Sequence, residues 1–370
     1  MLAEGQQLLR PELDSLVDKR ISAVARLAYD HNQFLHELFE AAGINPHTDI
    51  HGRSDLLKAY KRGVRTSGAD VGKLYADYAP SQGLMEIWSS GSTGVPKRVL
   101  LSKDGLERFS RGIARSMASA GVTDGQKVLM FAAPHPYPTS IAGFLMSRLE
   151  NPKLRVMAFR SPWIPKGASA QDRDKIAQSY IDLVYDYRPD MVGGGTFVVK
   201  EFARFMTKHG FDKGRAAVKS LMYGGDPTTL EDRRAIRDWW GADPFDMYAS
   251  AEASVIAFEC RSHTGLHPNE RDVFITSVDP LTGDEVEPDS TGKDLCTNIF
   301  EDGESPATFF INYSHNDNVT MLSDACQCGS ELKLMQHPSR DAKKVSLFDF
   351  DRKEETTTLG RALGKIRSTL

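Results

Sequence analysis

The sequence has 370 residues, 40% of them hydrophobic, enough to bury a sizeable core in one large or two ordinary domains without covalent staples. Lys and Arg total 46 against 50 for Asp and Glu, a net charge of -4, so no global field draws the chain to nucleic acid or an anionic membrane, and small-molecule chemistry is the expectation. No run approaches the roughly 20 apolar residues of a membrane span, the first residues lack a signal-peptide core, and four cysteines are too few for a disulfide scaffold, so a cytoplasmic protein without disulfides is expected.

From about residue 10 to residue 77 apolar positions fall at helical spacing, as in Leu13, Leu16, Ile21, Val24, Leu27 and then Phe34, Leu35, Leu38, Phe39, so residues 1–80 read as a helical lead-in to a large domain. Beyond residue 85 short apolar runs at 128–131, 155–159, 191–192 and 220–223 alternate with helical patterns at 104–120, 171–187, 197–209 and 229–240. That alternation predicts an α/β core over 81–268 with a largely parallel sheet, whose strand ends build a site. The texture then becomes hairpin-like, with strands at 273–276 and 295–300 around the turn Thr282-Gly283-Asp284, which predicts a small antiparallel β-subdomain over 269–338. Residues 339–370 are polar and basic, and read as a hinge remnant and tail.

The densest chemistry lies in Ser89-Ser90-Gly91-Ser92-Thr93-Gly94-Val95-Pro96-Lys97, directly after the apolar Met85, Ile87 and Trp88. Glycines let backbone N–H groups approach an anion, hydroxyls donate further bonds and the lysine adds a charge, so polyphosphate is the natural ligand. No Gly-Lys-Ser/Thr follows, so this is not the Walker pattern. An isolated Ser-Gly-Ser-Thr-Gly also suits a plain solvated turn; the whole nonapeptide is more specific.

The nonapeptide resembles the Ser/Thr-Gly-Ser/Thr-Thr-Gly-x-Pro-Lys loop of the adenylate-forming superfamily, which includes acyl-CoA ligases, firefly luciferase and peptide-synthetase adenylation domains. Further segments follow in the family's order. Tyr223-Gly224-Gly225-Asp226-Pro227 resembles its adenine-contacting turn, Asp246-Met247-Tyr248-Ala249-Ser250-Ala251-Glu252 its Tyr-Gly-x-Thr-Glu segment, Asn312-Tyr313-Ser314-His315-Asn316-Asp317 its Tyr-Arg-Thr-Gly-Asp, and Ser339-Arg340-Asp341 the start of its hinge. Within the superfamily, Leu27-Ala28-Tyr29-Asp30-His31-Asn32-Gln33-Phe34-Leu35, Phe258-Glu259-Cys260 followed by Gly265-Leu266-His267, and Cys326-Gln327-Cys328-Gly329 are similar to segments of phenylacetate-CoA ligases and their relatives.

The resemblance implies an α/β adenylate-forming domain of layered, mainly parallel sheets and helices. Its implied activity is ATP- and Mg²⁺-dependent conversion of a small carboxylic acid, aryl or otherwise, to an acyl-adenylate, with transfer to CoA or another acceptor. Thr93, Lys97 and Glu252 would be catalytic, with Ser89, Ser90, Gly91, Ser92 and Gly94 completing the phosphate loop and Glu252 holding Mg²⁺. Gly224, Gly225, Asp226, Tyr248, Ala249 and Ser250 would line the nucleotide, Asp317 would accept from the ribose hydroxyls, and Arg340 would flank it. His135, Tyr137, Gly195 and Thr196 would face the acid, although Pro- and Gly-rich stretches also suit connecting turns. Taken singly, Glu252 and Asp317 read as ordinary surface carboxylates, and His315 as a solvated loop histidine.

Two departures bear on this reading. Ala251 stands where the family carries a phosphate-contacting threonine, with Ser250 beside it. Few residues follow Asp341, leaving no room in this sequence for the family's C-terminal lid; if the full protein ends here, adenylation is expected to be slow, aided by a lid-supplying or acyl-accepting partner protein, or followed by transfer to something other than CoA. A homodimer, an acyl-protein synthetase working with a partner, and a nucleotide-binding scaffold without turnover stay open. Finally, Cys260, His267, Cys326 and Cys328 supply the Cys₃His set of a closed structural Zn²⁺ site, with His263 competing for the fourth position and Cys296 reading as a buried core thiol.

Overall fold

The computed structural model describes residues 8–79, 84–89, 96–132, 154–160, 164–165, 167–196, 198–226 and 228–340. The chain opens with helices α1 (Arg10–His31), α2 (Gln33–Ala41), α3 (Pro46–Asp49) and α4 (Arg53–Lys61). Pro11 stands in the first turn of α1, and Glu12 accepts from the Leu9 N–H at 2.9 Å, satisfying a donor that no helical carbonyl can reach. Leu13, Val17, Ile21, Val24 and Ala28 form its buried stripe. Asn32 starts α2 by accepting from Leu35 N–H at 2.8 Å, and its amide donates to the carbonyls of Lys73 and Tyr75, both at 2.8 Å. These helices share one core with Ile87, Val99, Phe309, Phe310, Ile311 and Tyr313, so the lead-in packs directly on the segment that carries Tyr313.

The remaining elements are β1 (Thr66–Ser67), β2 (Met85–Trp88), β3 (Arg98–Leu101), α5 (Lys103–Ser119), β4 (Lys127–Ala132), β5 (Arg155–Arg160), α6 (Ala170–Tyr187), β6 (Met191–Gly195), α7 (Ala203–Lys208), α8 (Lys213–Ala216), β7 (Ser220–Gly224), α9 (Leu230–Trp240), β8 (Asp243–Ser250), β9 (Ser254–Glu259), β10 (Leu266–Pro268), β11 (Val273–Val278), β12 (Thr291–Asn298), β13 (Tyr313–Ser314), β14 (Asn318–Leu322) and β15 (Leu334–Met335). A 13-stranded sheet runs β1-β13-β12-β14-β15-β10-β9-β8-β7-β6-β4-β5, with β11 against β12. From β5 to β8 every pairing is parallel, and β8 against β9 begins the antiparallel part. The expected α/β class is what the chain adopts, and its antiparallel part is bonded onto the parallel sheet.

Helices on the parallel part are set by short-range chemistry. Thr229 and Asp232 cap α9 reciprocally at 3.1 Å each way, and Gly241 ends it at φ 67°, the left-handed conformation in which glycine carries no Cβ penalty. Its last residue, Trp240, is fully buried and donates its indole N–H to Val199 C=O at 2.8 Å, which satisfies the polar atom of a large apolar group. Apart from the main sheet, β2 and β3 form an antiparallel pair in register from Met85 opposite Leu101 to Trp88 opposite Arg98. That pair carries the Ser/Gly-rich segment at its end. Among the described residues no helix is long and apolar enough to cross a membrane.

Candidate functional site

The Ser/Gly-rich segment leaves β2 and returns as β3, and its base is closed by Ser89 N–H to Lys97 C=O and Lys97 N–H to Ser89 Oγ, both 2.9 Å. Ser90, Gly91, Ser92, Thr93 and Gly94 lie outside the described residues, as do His135, Tyr137 and the chain after Arg340. Lys97 turns inward past Gly68, where a Cβ would stand only 2.6 Å from Lys97 Nζ. The missing side chain there gives the lysine its path. Its Nζ reaches Glu252 Oε1 at 3.1 Å and Tyr313 Oη at 3.4 Å, and Tyr313 O–H donates to the same Glu252 oxygen at 3.0 Å.

Glu252 is 5% exposed and Asp317 2% exposed, so neither is the surface carboxylate that each suggests when read singly. Burial alone would push the Glu252 carboxyl up, but His315 and Lys97 outweigh it and hold it below its ordinary range. Tyr313 is pushed upward by burial and by the Glu252 charge, and so remains a donor. A lysine, a tyrosine and a buried carboxylate therefore meet at the closed end of the hairpin.

Next to them a cleft opens between the ends of β7 and β8, lined by Gly225, Asp226, Met247, Tyr248, Ala249, Asp317, Pro338 and Arg340. The turn after β7 needs its glycines: a Cβ on Gly224 would lie 2.2 Å from the Met247 carbonyl oxygen, and Gly225 sits at φ 96°. Tyr248 O–H donates to Asp317 Oδ2 at 2.9 Å, and the Arg340 guanidinium bonds both Asp317 oxygens, Nη2 to Oδ2 at 3.2 Å. Gly195 pairs with Gly224 across the sheet and Thr196 donates to the Asp226 carbonyl at 3.3 Å, so these two residues back the same turn.

The expectation of a solvated His315 is overturned. Its side chain is 5% exposed, with Nδ1 2.7 Å from Asp294 Oδ2 and Nε2 2.9 Å from Ser250 Oγ. Burial lowers the pKa of the imidazole, yet the Asp294 charge and hydrogen bond outweigh it and the net shift is upward. Sequence reasoning missed Asp294 altogether; the available signal was a lone acid inside the strand pattern of Thr291–Asn298, where a charge survives only with partners.

Cys260, His267, Cys326 and Cys328 also converge, with their ligating atoms all within 4.8 Å of one another. Cys260 Sγ lies 3.6 Å from Cys326 Sγ, Cys328 Sγ lies 3.3 Å from His267 Nε2, and His267 Nδ1 faces the Lys333 carbonyl oxygen at 2.9 Å. His263, the competitor for the fourth position, instead turns Nδ1 to Glu259 Oε1 at 2.9 Å. Cys296 is fully buried, as expected of a core thiol.

No family model matches the chain. It is 22% identical to the phenylacetate-coenzyme A ligase of Thermus thermophilus over 341 residues, covering 88% of this chain and 69% of that one. With the Pseudomonas putida ligase of the same name the values are 23% over 309 residues, 80% and 63%, and with the Escherichia coli one 24% over 352 residues, 93% and 76%. Among solved structures, 2-hydroxyisobutyryl-CoA ligase with 2-HIB-AMP and CoA in its thioesterification state matches at TM-score 0.76 and 18% identity, covering 97% of this chain and 74% of that one. Its open conformation matches at TM-score 0.74 over 89% and 69%. The fold is thus that of the solved acyl-CoA ligase, a ligase enzyme of the adenylate-forming kind that the sequence resembles. Its sequence is similar to phenylacetate-CoA ligases, and it spans between 63% and 76% of those curated relatives' length.

Proposed function

We propose that this chain activates a small carboxylic acid with ATP and Mg²⁺, forming an acyl-adenylate and releasing pyrophosphate, with CoA or another acceptor taking the acyl group afterwards. The observation that carries this reading is the meeting of Lys97, Tyr313 and buried Glu252 beside the Tyr248–Asp317–Arg340 cleft. Adenylation is attack by a carboxylate oxygen on the α-phosphorus, so catalysis consists of alignment and stabilisation of spreading negative charge. Lys97 and the hydroxyl-rich loop with Thr93 would hold the phosphates, while Gly224, Gly225, Asp226, Tyr248 and Ala249 would flank the base. Asp317, held in place by Tyr248 and Arg340, would accept from the ribose hydroxyls.

Glu252 fits a Mg²⁺ ligand, since this cation commonly takes one or two carboxylates and completes its shell with phosphate oxygens and water; the cation would neutralise phosphate charge there. Similarly, Cys260, His267, Cys326 and Cys328 fit structural Zn²⁺. Zn–S bonds of about 2.3 Å set tetrahedral sulfurs roughly 3.7 Å apart, close to the 3.6 Å between Cys260 and Cys326, and a carbonyl on His267 Nδ1 is the usual outer partner of a histidine ligand.

The test is ATP–pyrophosphate exchange with a panel of aryl and short aliphatic acids. Exchange with at least one acid is expected, reduced at least about 100-fold in Lys97→Ala and more strongly affected than ATP binding in Glu252→Gln. Nucleotide affinity unchanged in both Lys97→Ala and Asp317→Ala, read by calorimetry, would refute the assignment of the cleft.

A further inference from the structure

Ser250 closes β8 with its side chain only partly covered, one residue beyond the cleft residue Ala249. Its Oγ lies 2.9 Å from His315 Nε2, and the opposite nitrogen of that ring lies 2.7 Å from Asp294 Oδ2. Asp294 is ringed by donors: it accepts from the backbone N–H of His315 at 3.0 Å, the backbone N–H of Asp317 at 2.9 Å and the Ser314 hydroxyl at 3.2 Å. A carboxylate so surrounded is ionised, and it requires a hydrogen on His315 Nδ1. In its neutral form the ring therefore presents the bare lone pair of Nε2 to Ser250. Ser250 Oγ also accepts the Ala253 N–H at 2.8 Å, which leaves its own hydrogen for His315. Hydroxyl, imidazole and buried carboxylate thus stand in the sequence of donors and acceptors that turns a serine into a nucleophile, an arrangement recognised by geometry and roles on unrelated folds.

We propose that Ser250 is an acyl-accepting nucleophile activated by His315 and Asp294, and that its substrate class is an activated carboxylic acid. The choice of donor rests on the adenylation reading: the acyl-adenylate made in the adjoining cleft. Ser250 Oγ bonds to the acyl carbon while the bond from that carbon to the phosphate oxygen breaks. AMP leaves with the electron pair, and the hydroxyl proton passes to His315 Nε2. Asp294 stabilises the resulting imidazolium, and the product is an acyl ester on Ser250. The imidazolium releases that proton to solvent; a second acceptor, a thiol, a hydroxyl or water, then gives its proton to His315 Nε2 as it bonds to the acyl carbon, and His315 passes that proton to the departing Ser250 oxygen. The partial exposure of Ser250 matters here, because a network serving packing alone has no need to leave its hydroxyl at the edge of a cleft.

The experiment exposes the full chain to p-nitrophenyl acetate, a small activated ester, and separately to a fluorophosphonate, a serine-directed probe, with intact-mass and peptide-mass readout. One acetyl or phosphonyl group on Ser250 is expected, with none in Ser250→Ala. His315→Gln should slow labelling at least about 100-fold, the scale of a lost general base. Should His315→Gln fail to fold, Ser250→Ala, a one-atom truncation at a partly exposed position, carries the comparison. Folded wild-type chain that stays unlabelled at Ser250, or Ser250→Ala labelled as fast as wild type, overturns the proposal. Exchange measured on the same preparation separates the two readings. Labelling without exchange overturns adenylation and keeps the nucleophile; exchange without labelling does the reverse.

Discussion

Two histidine centres lie in the antiparallel part of the molecule, and their contrast bears on where the proposed zinc would sit. Around His267 the neighbours are three cysteine sulfurs and a carbonyl, so Nδ1 donates to Lys333 C=O and bare Nε2 faces Cys328. Around His315 the neighbours are Asp294, Cys296 and Ser250, and the ligating atoms of Asp294, Cys296 and His315 itself also stand within 4.8 Å of one another. Yet the Asp294 oxygens are already taken by N–H and O–H donors, and burial with the Asp294 charge pushes the Cys296 thiol well up. Proximity of ligand types is common to both centres. Ownership of the protons separates them: the first has free lone pairs to give a cation, whereas the second has spent its lone pairs on hydrogen bonds.

The largest effect that would break this contrast is expected at the sulfur cluster. Cys260→Ser or Cys326→Ser should strip about one zinc per chain and destabilise the protein by several kcal/mol, because binding energy at a site absent from the unfolded chain is folding energy. Metal content by mass spectrometry and melting by calorimetry read both quantities. A wild-type chain that is metal-free and melts no differently from Cys326→Ser would erase the distinction between the centres.

The second effect belongs to the proton-bearing centre. Asp294→Asn leaves His315 buried without its counter-charge and should cost about 3–5 kcal/mol, the usual result of removing one partner from a buried pair, while leaving zinc content unchanged. pH sharpens this further. The His315 pKa is raised from the usual 6.5, so its share of stability is fully present below that value and is lost as pH rises through the higher folded value. Asp294 is held below its usual 3.8, because His315 and the surrounding donors outweigh burial; its share is present above that value and is lost as pH falls through the lower folded one. Urea midpoints from pH 4 to pH 9 should therefore show a wild-type excess over Asp294→Asn that is greatest between about pH 4 and 6.5 and shrinks on the alkaline side. A constant difference across the range would mean that the pair is not ionised.

How much of this was legible in the sequence follows from the range of the forces involved. Helix periodicity in Leu13–Ala28 and the apolar runs of β4 and β7 are local, and the structure forms those elements where the pattern puts them. Cys260, His267, Cys326 and Cys328 could be grouped because thiols and imidazole in these spacings suit few other purposes. His315 gave no such signal. Its partners lie 21 residues back at Asp294 and 65 back at Ser250, and only the pairing of β12 with β13 beside the end of β8 brings them together. A histidine between Ser314 and Asn316 looks solvated until its strand is placed. For the same reason Tyr313, read only as part of a motif, emerges as a donor to Glu252.

The smallest expected effect separates two histidines that compete on paper for one position. His263 and His267 both follow Cys260 closely enough to serve as a fourth ligand, and sequence spacing does not choose between them. In the folded chain His263 is at φ 52° and points back to Glu259, whose buried carboxylate is also bound by Arg233 at 2.6 Å and accepts from the Asp246 N–H at 2.8 Å. Burial raises the Glu259 pKa, but His263 and Arg233 outweigh it and hold the carboxyl below its usual range. His263 thus completes a carboxylate that keeps two further partners, and its own side chain is a quarter exposed, at 25%. Replacing it with glutamine, which can still donate to Glu259, should cost about 1 kcal/mol or less and leave zinc stoichiometry unchanged. His267→Gln, by contrast, removes the nitrogen aimed at Cys328 and should lower that stoichiometry. Zinc lost from His263→Gln and retained in His267→Gln would reverse the assignment, and would require the chain after Cys260 to turn the other way.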